Sequence, residues 1–197
     1  MKLRVPFYKQ KTDSDCGPAA LKMVLDYFGE NKKLTDIYKL MDKKEGKGIS
    51  TIQIAEAASK LGHKAIFYST YVLLNEENLK LDFYKKYSNL DLEYSKQLIK
   101  NAKKSGVKIH EKTLLLKEIL RLVTRDSIPI ILLDWNIINN KNGYQGHFVP
   151  IVGYDANNIY VHKPNGKKFL RIEKKMFDKA RKAEGTDEDI AIIQRRL

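Results

Sequence analysis

The chain has 197 residues and a formal net charge of +13, a length that suits one domain. Its single cysteine, Cys16, excludes an intrachain disulfide, and neither a CxxC pair nor an HExxH motif occurs, so no metal or cofactor is expected. No apolar run reaches the ~18 residues of a membrane span and the opening residues lack a signal-peptide stretch, which predicts a cytoplasmic protein without a membrane span.

The first zone, to about Leu61, reads as helical. Leu21, Val24, Leu25 and Phe28 recur on one helical face, with Ser14 or Asp15 as cap, Pro18 in the first turn and Gly29 as the stop. A short helix around Ile37, Leu40 and Met41 follows, with Thr35 as its expected cap. Ser50-x-x-Gln53 has the form of a capping box and opens a helix through Leu61, which Gly62 ends. His63 to Thr70 reads as a strand.

The middle zone, about 73–125, is charged and reads as a small helical insert beside the core. Its helices are expected over Asp91 to Lys104 and Thr113 to Val123. The last zone is mostly strand. Ile128 to Leu133 and His147 to Tyr154 are apolar runs, and the Asp155-Ala-Asn-Asn158 turn leads into a strand at Ile159 to Val161. Lys167 to Ile172 extends the meander, Glu173 to Ala183 is a helix, and Ile190 to Gln194 closes the sheet. Helices first and an antiparallel sheet after is an α+β pattern.

Cys16 stands where the first helix begins. Unpaired N–H groups and the macrodipole at that point favour a thiolate. Gly17 leaves room beside the sulfur, and Gln10 offers an amide donor for a developing oxyanion. Set against this, a lone cysteine is commonly a small buried hydrophobe. A nucleophilic cysteine also needs a base. Of the four histidines, His147 opens an apolar strand after the flexible Asn139–Gly146 stretch, where it can face a cleft. Cysteine at a helix start and histidine on a later strand is the papain-type order.

Gln10, the Asp15-Cys16-Gly17-Pro18-Ala19-Ala20-Leu21 run, the Gly146-His147-Phe148-Val149-Pro150 strand and Ile159-Tyr-Val-His-Lys-Pro164 together resemble the bacteriocin-leader-processing cysteine peptidases of double-glycine type. The resemblance implies a papain-like fold, with N-terminal helices packed on a C-terminal antiparallel sheet in one domain over residues 1–197. It also implies a peptide or protein substrate. By it, Cys16 is the nucleophile, His147 the general base and acid, and Gln10 an oxyanion-hole donor. The chain reads as a stand-alone member without transporter domains.

One position departs. Where the family carries an acid before the last strand's proline, this chain has Lys163, which offers only donors and disfavours an imidazolium. Three readings follow: a Cys/His dyad, replacement of the orienting acid by Asp134 or Asn136, or a degenerate domain that binds peptides without cutting them. A thiol acyltransferase shares the same site chemistry. The 37 basic residues are scattered, and no basic–aromatic run resembles an RNA-binding strand. The charge therefore predicts weak electrostatic binding to anionic surfaces rather than specific nucleic-acid recognition.

Overall fold

The computed structural model describes residues 1–196. The first helix, α1 (Cys16–Tyr27), buries Leu21, Val24 and Leu25 completely. Asp15 holds its N-cap position, but its carboxylate accepts from the Thr12 amide instead of capping the helix. The second, α2 (Leu34–Leu40), starts from Lys33 and not from the expected Thr35. In α3 (Thr51–Lys60) the capping box forms: the Gln53 side chain accepts from the Ser50 amide at 2.8 Å. That same side chain donates to the Met41 carbonyl, tying α3 to the end of α2.

After β1 (Lys64–Ser69) come a 3-10 turn (Asn78–Lys80), α4 (Asp82–Tyr87) and α5 (Leu92–Lys104). Asp91 caps α5 through the Tyr94 amide. Next come β2 (Lys108–Glu111) and α6 (Leu116–Arg121), then β3 (Ser127–Asp134), α7 (Trp135–Ile138) and β4 (Gly146–Tyr154). The chain finishes with β5 (Asn158–Lys163), β6 (Lys167–Glu173), α8 (Lys174–Arg181) and β7 (Ile190–Gln194).

The seven strands form one sheet in the order β2-β1-β7-β3-β4-β5-β6. Every pairing is antiparallel except β1 with β2, which is parallel. This corrects the helical reading of 73–125, because β2 lies in that segment and extends the main sheet. Leu98, Ala102, Ile119 and Leu120 of the same segment also join the common hydrophobic core. Apolar burial drives this docking at roughly 1.5–3 kcal/mol per large side chain.

Two strands fix the site. All eight residues of β3 are buried, and β7 is buried from Ile190 to Ile193, as continuous apolar runs require. The register pairs Leu133 with His147 and Leu132 with Phe148, so Phe148 and His147 point to opposite faces of β4. The guanidinium of Arg181, fully buried, binds Asp178 and Glu188 at 2.7 Å each. That clamp holds α8 to the loop leading into β7. No helix among the described residues is long and apolar enough to cross a membrane.

Candidate active site

Cys16 is the first residue of α1 and lines a cleft with Gly17, Gly48, Gly146 and Phe148. The walls are tight. A Cβ on Gly146 would meet the Tyr144 hydroxyl at 2.8 Å and the Phe83 ring at 2.9 Å. Burial pushes the Cys16 thiol up to about 11, and the nearby Asp15 charge adds to the rise. The backbone of Phe148, Gly17 and Cys16 itself pulls the other way without overcoming burial. Asp15 is held beneath by Lys43 at 3.5 Å, by the Thr12 amide and by the Tyr38 hydroxyl.

His147 is buried and precedes the Phe148 backbone that bears on the sulfur. Burial, and then the Lys163 charge, lower its imidazole to about 3. No hydrogen bond joins the ring to Cys16 among the described residues, and its Nε2 has no partner. The Trp135 ring packs edge-on against it, with centroids 5.4 Å apart. On Trp135 sits Lys163, its Nζ 4.2 Å from the ring centroid. Burial thus favours the neutral thiol of Cys16 and the neutral imidazole of His147.

The other anticipated residues serve the surrounding loops. The Gln10 amide nitrogen donates to the Thr12 carbonyl at 2.7 Å, and its backbone N–H donates to the Pro164 carbonyl. Asp134 accepts from the Asn136 and Gln145 amides at 2.9 and 3.0 Å. Asn136 donates to the carbonyls of Asn142 and Gly143. These bonds fold the turn that delivers His147 to β4, and none of them reaches the imidazole. His162 is structural. Its Nε2–H donates to the Val5 carbonyl, and its Nδ1 accepts from the Phe169 amide.

One part of the cleft was not anticipated. Asp187 and Asp189 line it from the loop before β7. Both oxygens of Asp187 are taken by the Asn75 and Asn78 amides. Asp189 accepts the Thr51 hydroxyl at 2.6 Å, yet burial still pushes its carboxyl up to about 8. Among the described residues no lysine or arginine lines this cleft.

Three solved structures share the fold. The peptidase domain of Streptococcus ComA, a bi-functional ABC transporter involved in quorum sensing, gives a TM-score of 0.54 at 17% identity, covering 98% of this chain and 100% of that one. A C39-like peptidase from Bacillus anthracis gives 0.61 at 16%, with full coverage of both chains. A double-glycine-motif protease from an AMS/PCAT transporter, solved with its leader peptide, gives 0.55 at 19%, covering 100% of this chain and 94% of that one. At these identities the likeness establishes the α+β papain-like fold expected from the sequence.

The sequence itself points to a different name. Guanylyl cyclase 1 of Arabidopsis thaliana is 29% identical over 208 residues, covering 96% of this chain and 75% of that protein. The family model described as guanylylate cyclase matches residues 5–193. On a fold shared with the double-glycine cysteine peptidases, the chain belongs to the guanylylate cyclase family.

Proposed function

We propose that this chain is a cysteine-dependent acyl-transfer enzyme acting on an extended peptide, with Cys16 as nucleophile and His147 as base. The observation that carries the reading is the placement of Cys16. Its sulfur lies at the first turn of α1, in a glycine-walled cleft, with the Phe148 backbone beside it. A peptide occupies the corresponding domain of the AMS/PCAT protease, and a peptide or protein is the substrate class proposed here. A reducing, cytoplasmic setting suits a lone reactive thiol.

The chemistry starts from neutral partners. As the sulfur–carbonyl bond forms, the thiol proton passes to His147. The tetrahedral oxyanion draws on backbone N–H groups and on Gln10, once that side chain leaves Thr12. His147 returns the proton to the leaving amine as the C–N bond breaks. Water then cleaves the thioester and restores the thiol. Without a preformed ion pair, the basal rate is low.

The name of the Arabidopsis relative raises nucleotide cyclisation as a second reading. Holding a triphosphate calls for cationic groups around the phosphates. Among the described residues the Cys16 cleft is lined by Asp13, Asp187 and Asp189 and by no lysine or arginine. An acidic lining repels bare phosphates, and this favours a peptide in the cleft.

Incubation with a peptide library read by mass spectrometry tests this. Expected is slow cleavage after small residue pairs such as Gly-Gly, abolished in Cys16→Ala and in His147→Ala. Binding without cleavage supports the silent peptide-binding module instead. Cyclic GMP formed from GTP, and lost on cleft substitutions, refutes the assignment.

A further inference from the structure

Three oxygens along the Cys16 cleft have no hydrogen-bond partner among the described residues. They are Asn78 Oδ1, Ser95 Oγ and Asp189 Oδ1, each shielded from water. All three residues line the same cleft as the sulfur, and Asn78 and Ser95 are only 5% and 4% exposed. An amide oxygen and an ionised carboxylate only accept, and a hydroxyl accepts as well as donates. Buried polar atoms left unpaired are costly, and three of them along one cleft mark a missing donor.

The surrounding walls connect these oxygens to Cys16. Gly17 is packed so closely by Ile49 that an added Cβ would meet its side chain at 2.6 Å. Two residues on, the Thr51 hydroxyl donates to Asp189 Oδ2 and leaves Oδ1 free. Another wall is the stretch 71–90, in which Asn78 is the one buried residue. The Asn75 and Asn78 amides fasten this stretch to Asp187 at 2.7 and 2.6 Å. A wall with so little apolar burial opens at low cost, and its opening gives an entering side chain access to the acceptors that it shields.

The lining selects the ligand. The chain carries a net charge of +13, yet Asp13, Asp187 and Asp189 line this cleft without a lysine or arginine among the described residues. Leu74, Phe83, Leu98 and Ile99 add apolar surface, which suits a methylene stem below a charged tip. Burial holds the Asp189 carboxyl up at about 8, and a cation beside it favours the ionised form. We propose that Asn78, Ser95 and Asp189 form a subsite for the cationic tip of a lysine or arginine side chain of the peptide, reached when the 71–90 wall opens. The tip donates to Asn78 Oδ1, Ser95 Oγ and Asp189 Oδ1 while Thr51 keeps Oδ2. This subsite rests on the reading of the cleft as a peptide site, and not on the chemistry at Cys16.

Cys16 is the only cysteine, so its alkylation by iodoacetamide reports whether the cleft is occupied. The probes are end-capped heptapeptides with a central Gly-Gly and one variable residue, lysine, arginine, norleucine or glutamate, moved through the other positions in turn. At one position the lysine and arginine peptides should protect Cys16 at concentrations at least about tenfold below the norleucine peptide, with glutamate the poorest. Asp189→Asn should abolish this preference while the norleucine peptide still protects, and Ser95→Ala should reduce it several-fold. A merely structural role would weaken all the peptides alike.

Equal protection by lysine and norleucine at every position, no protection by any peptide, or a preference that survives Asp189→Asn overturns the subsite. Where Asp189→Asn fails to fold or weakens all the peptides alike, Ser95→Ala decides, and an unchanged preference there overturns the subsite. Lysine-selective protection without cleavage of any peptide sustains the subsite and sinks the acyl-transfer reading. Cleavage indifferent to lysine does the reverse.

Discussion

Replacing Lys163 isolates the electrostatics of His147. The ammonium lies 4.2 Å from the Trp135 centroid and the imidazole 5.4 Å from it. The two charges are therefore at most about 10 Å apart, where a unit charge at an effective dielectric constant of ~20 is worth ~1.7 kcal/mol. That corresponds to ~1.2 pH units in the imidazole titration. Screening trims the figure because Lys163 is half-buried, and a closer approach enlarges it. Lys163→Met should move His147 from about 3 to ~4, and Lys163→Asp, which reverses the charge, to ~5 or above. Histidine-selective NMR titration reads the midpoint directly. Iodoacetamide alkylation of Cys16 across pH gives the functional counterpart, with the rate at neutral pH rising from wild type to Met to Asp. Midpoints agreeing within ~0.3 pH units across the three proteins would refute the argument, because a unit charge so close cannot be silent.

Three further outcomes follow from the structure. Gln10→Ala should slow peptide cleavage by ~10²-fold while leaving Cys16 alkylation unchanged, since alkylation forms no oxyanion; equal losses in both assays would assign Gln10 to folding. Stability should peak near pH 6.5. Below it, the lowered His63, His147 and His162 leave the unfolded state binding more protons, so stability falls as pH falls through the unfolded histidine value. Above it, Asp189, raised to about 8, keeps its proton only in the folded state, and stability falls by at most ~1.4 kcal/mol per pH unit until that value is passed. Asp189→Asn should flatten this alkaline limb in thermal melts, and an unchanged limb would remove Asp189 as its cause. Gly146→Ala should cost ~1–3 kcal/mol in denaturant unfolding, because the new methyl meets Tyr144 and Phe83 below 3 Å. Rescue by Phe83→Leu would locate the strain, and a neutral Gly146→Ala would show that the aromatic wall yields.

What the sequence revealed, it revealed where one residue and its near neighbours suffice. The apolar face of α1, the Ser50/Gln53 box and the buried runs of β3 and β4 are local signals, and the structure contains all of them. β2 was not legible. Its four residues carry one half-buried apolar side chain, Ile109, and its place at the edge comes from parallel pairing with a distant strand. The proposal of Cys16 and His147 as partners comes from motif spacing and resemblance, whereas the opposed shifts of their two groups are a product of burial that no motif shows. Asp189 reached the cleft through a hydrogen bond to Thr51 across 138 positions, and no local pattern marks such a partner. Trp135 packs against His147, and the lack of a partner for its Nε1 appears only when the strands are assembled.

The strand order also sets a timetable. β7 follows the other six described strands in the chain, yet it lies between β1 and β3. Before it arrives, β2–β1 and β3–β6 are two separate sheets, each with an open edge that can pair with another chain. Long-range pairings of this kind form slowly. The same late segment brings Asp187 and Asp189 to the cleft. A nascent chain therefore holds Cys16 and His147 before it holds the acidic side of the cleft, which only the segment leading into β7 supplies.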